Sequence, residues 1–220
     1  MMEITKYDIY GWEAAIRGMR NPMNSWDRSD SFFDNISVNI GKNDLELMTR
    51  LANAGPEHAK YRRMIVVTVD ILAPLYWWKE FDTYKVGTVA NSCSTMHKIA
   101  DKEFTLDDFS HEHLLSDDFK LDLGDDIPFS LLMTIVNALN SYRAFYLGTK
   151  DKIYWWQMIK LLPSSYNQKR TVMLNYEVLA NIYRQRKDHK LDEWRDFCKW
   201  IEELPYSLEI IMKKEVNEIG

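Results

Sequence analysis

The chain has 220 residues, 46% hydrophobic and 28% charged, with a formal net charge of -5. That length holds one domain or two small ones and is long enough to bury a core. The acidic balance argues against a general nucleic-acid binder. No apolar run approaches the length of a membrane span, no N-terminal apolar region resembles a signal peptide, and Cys93 and Cys198 form neither a disulfide framework nor a zinc pattern. The expectation is a cytoplasmic protein with free thiols, no membrane partner and no metal.

In chain order, DIYGWEAAIRGM (8–19) reads as a short amphipathic helix. RNPMNSWDRSDSFFDN follows as a long loop. Asn43, with Glu46 three positions on, predicts a capped helix that Gly55 and Pro56 close. RMIVVTVDIL reads as a buried strand, and APLYWWKEF as a helix entered at Pro74. Next comes FDTYKVGTVANSCSTMHK, whose core from Val86 to Thr95 carries no charge but has four Ser or Thr, a Gly and an Asn.

An acidic segment spans Asp101 to Asp126 and suggests short helical turns. In it, His111 and His113 flank Glu112, a spacing that does not place both imidazoles on one helix face. Asp122, Asp125 and Asp126 lack a calcium-loop spacing. FSLLMTIVNALNSYRAFYLG predicts a long helix ending at Gly148. Its apolar face is Leu131, Leu132, Ile135, Val136, Leu139, Tyr142 and Phe145. DKIYWWQMIKLLP predicts another helix, stopped by Pro163, and SSYNQK a loop. Helices are expected at 175–187, 192–204 and 206–216. One or two strands among long helices predict an α+β fold, and no linker divides the chain, so a single domain over 1–220 is expected.

The stretch TVMLNYEVLANIYRQRK poses a specific question. On a helical wheel Val178, Leu179 and Ile182 define the apolar side, and Asn175 and Arg186, eleven residues apart, fall on that side. Glu177 and Asn181 share another side. Polar groups on a packed face need a partner. Asn175 as a helix cap and Arg186 snorkelling from the helix end satisfy that need, and so does a bound ligand.

These residues resemble the flavin-dependent thymidylate synthases, the thymidylate synthase complementing proteins. That family has a Leu-Pro, an Asn twelve residues after the Pro, an Arg two beyond, a second Asn and a downstream Arg. Leu162-Pro163, Asn175, Asn181 and Arg186 stand at that spacing, with Glu177 in place of the intermediate Arg. AGPEHAKYRRMI is similar to the family's Glu-His segment, with Glu57 and His58 in register. The family's arginine-rich signature falls on the hydroxyl-rich stretch. Thr83, Tyr84 and Lys85 replace Arg-His-Arg, and Asn91-Ser92-Cys93-Ser94-Thr95-Met96-His97 follows, keeping the signature's Asn and Ser at Asn91 and Ser94. The resemblance spans about 44–190 and looks like a divergent branch found in gut bacteria and their phages.

The resemblance implies a central, mostly antiparallel sheet flanked by long helices and a homotetramer. It implies methylation of deoxyuridine monophosphate, with methylenetetrahydrofolate supplying carbon, reduced FAD supplying hydride and NADPH refilling the flavin. No enzymic cysteine is required. By the same resemblance Glu57, Tyr84, Lys85, Asn91, Asn175 and Asn181 would hold FAD, and Lys85, Ser92, Ser94 and Arg186 the nucleotide. Thr83, Met96 and Ile159 stand where the family has arginines, and Lys does not reproduce an arginine's bidentate grip on phosphate. Arg20 and Arg28 are candidate replacements. The alternative expectation is a non-catalytic nucleotide- or flavin-binding or assembly protein that keeps the fold.

Overall fold

A computed structural model describes residues 2–34, 37–115 and 128–212. Strand β1 (Glu3–Tyr10) leads to helix α1 (Trp12–Arg20). The break between them is Gly11, at φ 90°, where a Cβ would stand 2.0 Å from the Met64 carbonyl oxygen. The helix expected from Asp8 therefore starts later. The β-favouring residues Ile4, Thr5, Tyr7, Ile9 and Tyr10 continue as strand to the glycine.

The long polar loop holds two short turns and a two-stranded ribbon, β2 (Phe32–Phe33) against β3 (Val38–Asn39), antiparallel. Helix α2 (Lys42–Asn53) follows. Asn43 does not cap it. The first backbone amides of α2, at Asn43 and Asp44, donate instead to the Asp30 carboxylate at 2.9 and 3.1 Å. A carboxylate from the preceding loop meets the positive helix terminus better than a side chain already inside the first turn.

The expected strand is β4 (Val66–Pro74), in which burial alternates: Val67, Val69, Ile71 and Ala73 are buried. Pro74 leads into α3 (Leu75–Phe81). Then come β5 (Val89–Ser92), α4 (Thr95–Lys98), α5 (Pro128–Thr149), α6 (Lys152–Leu161) and β6 (Asn167–Asn175). The chain continues through α7 (Tyr176–Arg186), α8 (Asp192–Glu203) and α9 (Ser207–Ile210). The central sheet has order β1-β4-β6-β5, and the architecture is α+β with an antiparallel sheet.

Four expectations change. The loop expected at SSYNQK ends early: β6 starts at Asn167, with Val172 and Leu174 fully buried between the partly exposed Thr171 and Met173. That alternation is period two and was masked by helix-compatible residues. In α5 the buried positions are Leu132, Val136 and Leu139, whereas Leu131 and Phe145 are exposed. This helix is apolar around most of its circumference, so its sequence marks no single face. Gly148 lies inside α5, and the left-handed residue after it is Lys150. The last helix is shorter than 206–216, and residues 213–216 lie outside the described residues, as do Asp122, Asp125 and Asp126.

The described residues form two compact units. One comprises Ile71–Asp82 and Asn91–Arg170 with the first residues; the other comprises Ile4–Asp70, Thr83–Ala90 and the chain from Thr171. The first unit packs Trp77, Trp78 and Phe81 together and has a second cluster around Phe109, Leu139 and Met158. In the other unit Trp12 meets Tyr176 edge to face at 5.2 Å, and Leu179, Ile182, Trp194 and Phe197 are fully buried. Here Arg20, 4% exposed, bonds Asp44 at 2.6 Å and the backbone oxygens of Ser25 and Arg28. Arg20 is thus committed to holding its own loop and does not serve as the phosphate clamp anticipated. Burial alone would raise the Asp44 pKa, but bonds from Ser31, Ser29 and Arg20 outweigh it and hold this carboxyl below its usual range. Among the described residues no helix is long and apolar enough to cross a membrane.

Candidate functional site

The second unit, the one that contains α7, encloses a cavity of about 610 Å³. That size suits a drug-sized or nucleotide-sized ligand. Helix α7 supplies one wall with Glu177, Asn181 and Arg184, and the segment after α3 supplies Thr83, Tyr84 and Lys85. Glu177 and Asn181 are one helical turn apart, so both reach the cavity, as the wheel suggested.

Asn175 is the helix cap: its Oδ1 accepts from the Val178 backbone N–H at 3.1 Å. Its Nδ2 faces Gly87, where φ is +79° and an added Cβ would stand 2.9 Å away. The loop backbone therefore passes directly over the cap. The uncharged glycine-bearing stretch is explained here by close approach, because a side chain at Gly87 would collide with Asn175.

Arg186 does not snorkel. Its Nε donates to the Tyr84 hydroxyl at 2.9 Å, and its guanidinium lies 4.6 Å from the Trp194 ring centroid. The Tyr84 hydroxyl donates in turn to Gln185 Oε1 at 2.9 Å. Tyr84, which the sequence singles out, therefore pins its loop to the C-terminal end of α7. Asn181 Oδ1 accepts from Arg184 and Gln185 at 2.8 and 3.1 Å. Tyr183 also lines the cavity. Burial, reinforced by its bond to the Glu202 carboxylate, pushes its hydroxyl up to about 12, so it stays protonated at neutral pH.

Glu177 pairs with a residue the sequence did not single out. Arg62, 8% exposed, sits in the short 3-10 turn Ala59–Met64 and places Nη1 3.7 Å from Glu177 Oε2. Glu177 Oε2 and Arg62 Nε are buried and make no hydrogen bond. Lys187 is a further lining residue not anticipated. No hydrophobic period marks Arg62; the signal available was two adjacent arginines just before a buried strand.

The remaining candidates lie elsewhere. Glu57 is exposed, with Oε1 3.5 Å from His58 Nε2, and lines a separate cavity of about 870 Å³ together with Arg28 and Lys60. Asn91 and Ser92 are exposed on β5 and, with Ser94, belong to the other unit. Ser94 Oγ accepts from His97 N and so caps α4. Thr88 Oγ1 is buried without a hydrogen-bond partner. Of the nine residues named from the sequence, Tyr84, Lys85 and Asn181 line the α7 cavity directly, and Asn175 and Arg186 shape the same helix and loop. His111 is held through Nδ1 by the Phe109 carbonyl, and among the described residues no cluster of three His, Cys, Asp or Glu is placed to hold a metal.

No family model matches the chain, and no curated protein matches its sequence. Solved structures do match. Thymidylate synthase X (ThyX) from Helicobacter pylori, crystallised with FAD and dUMP, superposes with TM-score 0.66 at 18% identity, covering 97% of this chain and 98% of that one. This chain has the ThyX fold. A second Helicobacter pylori ThyX structure, also with FAD and dUMP, gives TM-score 0.66 at 18% identity over 96% of this chain and 100% of that one. The UMP/dUMP methylase PolB from Streptomyces cacaoi, bound with 5-Br dUMP, gives TM-score 0.62 at 14% identity, covering 96% and 93%. The ThyX-like architecture expected from the C-terminal spacing is therefore the observed one.

Proposed function

We propose that the chain is a flavin-dependent enzyme that modifies a uridine nucleotide, with methylation of dUMP to dTMP as its reaction. The observation that carries this reading is the α7 cavity, walled by Tyr84, Lys85 and Asn181, beside the Gly87 loop that passes close to the Asn175 cap, in a fold shared with proteins crystallised with FAD and dUMP. The residues fit a large polar cofactor. The cavity is roomy, it has aromatic and cationic walls, and its buried Arg62 Nε and Glu177 Oε2 await partners. Glu57, Tyr84, Lys85, Asn91, Asn175 and Asn181 would hold FAD. Lys85, Ser92, Ser94 and Arg186 would hold the nucleotide. Bound flavin would supply hydride, with methylenetetrahydrofolate and NADPH as co-substrates.

The chain works as a single domain over 1–220 in the cytoplasm and assembles as a homotetramer. Exposed Leu131, Met133, Phe145 and Leu147 on α5 and Trp156 on α6 are apolar surface that a second copy would cover. Light scattering at micromolar concentration gives the tetramer mass if this is right and a monomer mass if it is wrong.

The function is tested by flavin content and by rescue. Purified protein should carry flavin absorbance or gain it with FAD, and the gene should rescue a thymidine-requiring bacterium. Colourless protein that binds no FAD by calorimetry rejects the reading. The second reading, a non-catalytic binding or assembly protein, is favoured by the Glu177–Arg62 pair at a position where the family carries arginine. Rescue would exclude it, and FAD binding without rescue would point to another nucleotide or another reaction.

A further inference from the structure

We infer that Glu177, held by Arg62, is a hydrogen-bond acceptor for an N–H or O–H donor of the ligand in the α7 cavity, and that it keeps the ligand's phosphate away from the first turn of α7. This rests on the proposed nucleotide and flavin site and specifies how that site is read.

Arg62 is almost wholly buried and neutralises Glu177 at 3.7 Å, a separation too long for a hydrogen bond. The pair is therefore electrically balanced but chemically incomplete. Glu177 Oε2 keeps lone pairs and Arg62 Nε keeps its hydrogen, neither with a hydrogen-bond partner in the protein. A half-buried carboxylate facing a cavity is completed by a donor, and charge-assisted bonds of that type are the strong ones. A fully ionised anion brought to the same oxygen would offer it no hydrogen to accept.

The rest of the cationic lining sits at the other end. Arg184 and Lys187 are seven and ten residues further along the chain from Glu177. At the helical rise this places them about 10 to 15 Å away along the axis. Lys85 belongs to the loop that Tyr84 ties to Gln185 and Arg186 at that same end. The cavity is thus polarised, with an acceptor near the helix start and positive charge near its end. A nucleotide is polarised in the same manner, with donors on base and sugar and charge on phosphate.

The test is calorimetric titration of the intact protein with FAD and, separately, with dUMP. The variants are Glu177→Gln, Glu177→Arg and the double variant R62Q/E177Q. The inference predicts that E177Q and the double variant weaken binding by about 10- to 100-fold, and that E177R weakens it at least as much. The double variant leaves no unpaired buried charge, so it separates ligand binding from folding, which circular dichroism monitors. Tighter binding by E177R would mean that phosphate lies at this position and would overturn the inference. Unchanged binding by the double variant would overturn it too, making the ion pair purely structural. Wild-type protein that binds dUMP but not FAD rejects the flavin reading, and Glu177 is then judged on dUMP alone. Wild-type protein that binds neither rejects this inference as well.

Discussion

Gly87→Ala tests whether the loop and the helix cap are mechanically one unit. At φ +79° an alanine pays for left-handed backbone, about 1–2 kcal/mol. Its Cβ would also stand 2.9 Å from Asn175 Nδ2 and 3.3 Å from Val178 Cγ2. The Asn175 amide cannot swing away freely, because its Oδ1 is held by the Val178 N–H. Displacing it forfeits much of the cap, about 1 kcal/mol. The expected loss is about 2–3 kcal/mol, read by urea unfolding. Asn175→Ala alone should cost about 1 kcal/mol. In the double variant the collision is absent, so the total should fall short of the sum by about 1 kcal/mol. A loss under about 0.5 kcal/mol in G87A, or strict additivity, would refute the coupling.

Asp44→Asn strips the buried Arg20 of its charge partner and should cost about 3–5 kcal/mol at neutral pH. Because the folded Asp44 pKa lies below its unfolded value, the stabilisation is complete above about pH 4 and fades as pH falls through the lower folded value. Acid unfolding curves of wild type and variant should therefore converge at low pH; parallel curves would exclude Asp44 as the source. Tyr84→Phe removes the hydroxyl shared by Gln185 and Arg186 and should cost about 1–2 kcal/mol in thermal unfolding while lowering FAD affinity. Unchanged stability would show that the tie is not formed. Burial pushes the Cys198 thiol up to about 12, and nearby Glu202 adds to this, whereas Cys93 is exposed. A thiol reagent at mildly alkaline pH should label Cys93 alone in native protein and both cysteines in denaturant, by mass spectrometry. Rapid native labelling of Cys198 would contradict its burial.

What the sequence made legible were features written in local pattern. The β4 strand showed itself as a short β-branched run, and the fold buries Val67, Val69, Ile71 and Ala73 of it. Asn175 showed itself as a polar residue at a helix start, and Glu177 with Asn181 as a pair one turn apart. The hidden features depend on partners distant in sequence. The cap of α2 comes from Asp30 across a loop. Arg62 lies in a short turn without periodicity, and only the fold brings it to Glu177. Strand β6 was obscured because Val172, Met173 and Leu174 suit helix and strand alike, and its neighbours in the sheet decide between them. The hydroxyl-rich stretch stands out by its resemblance to a nucleotide signature, but the reason for its glycine, clearance over Asn175, lies in the fold.

The central claim is that the α7 cavity holds FAD. Calorimetric titration of the purified, flavin-stripped protein with FAD tests it most directly. The account predicts saturable binding that is weakened in the Asn181→Ala variant. A wild-type protein that takes up no FAD, or one whose binding is unaffected by Asn181→Ala and Tyr84→Phe together, would contradict it.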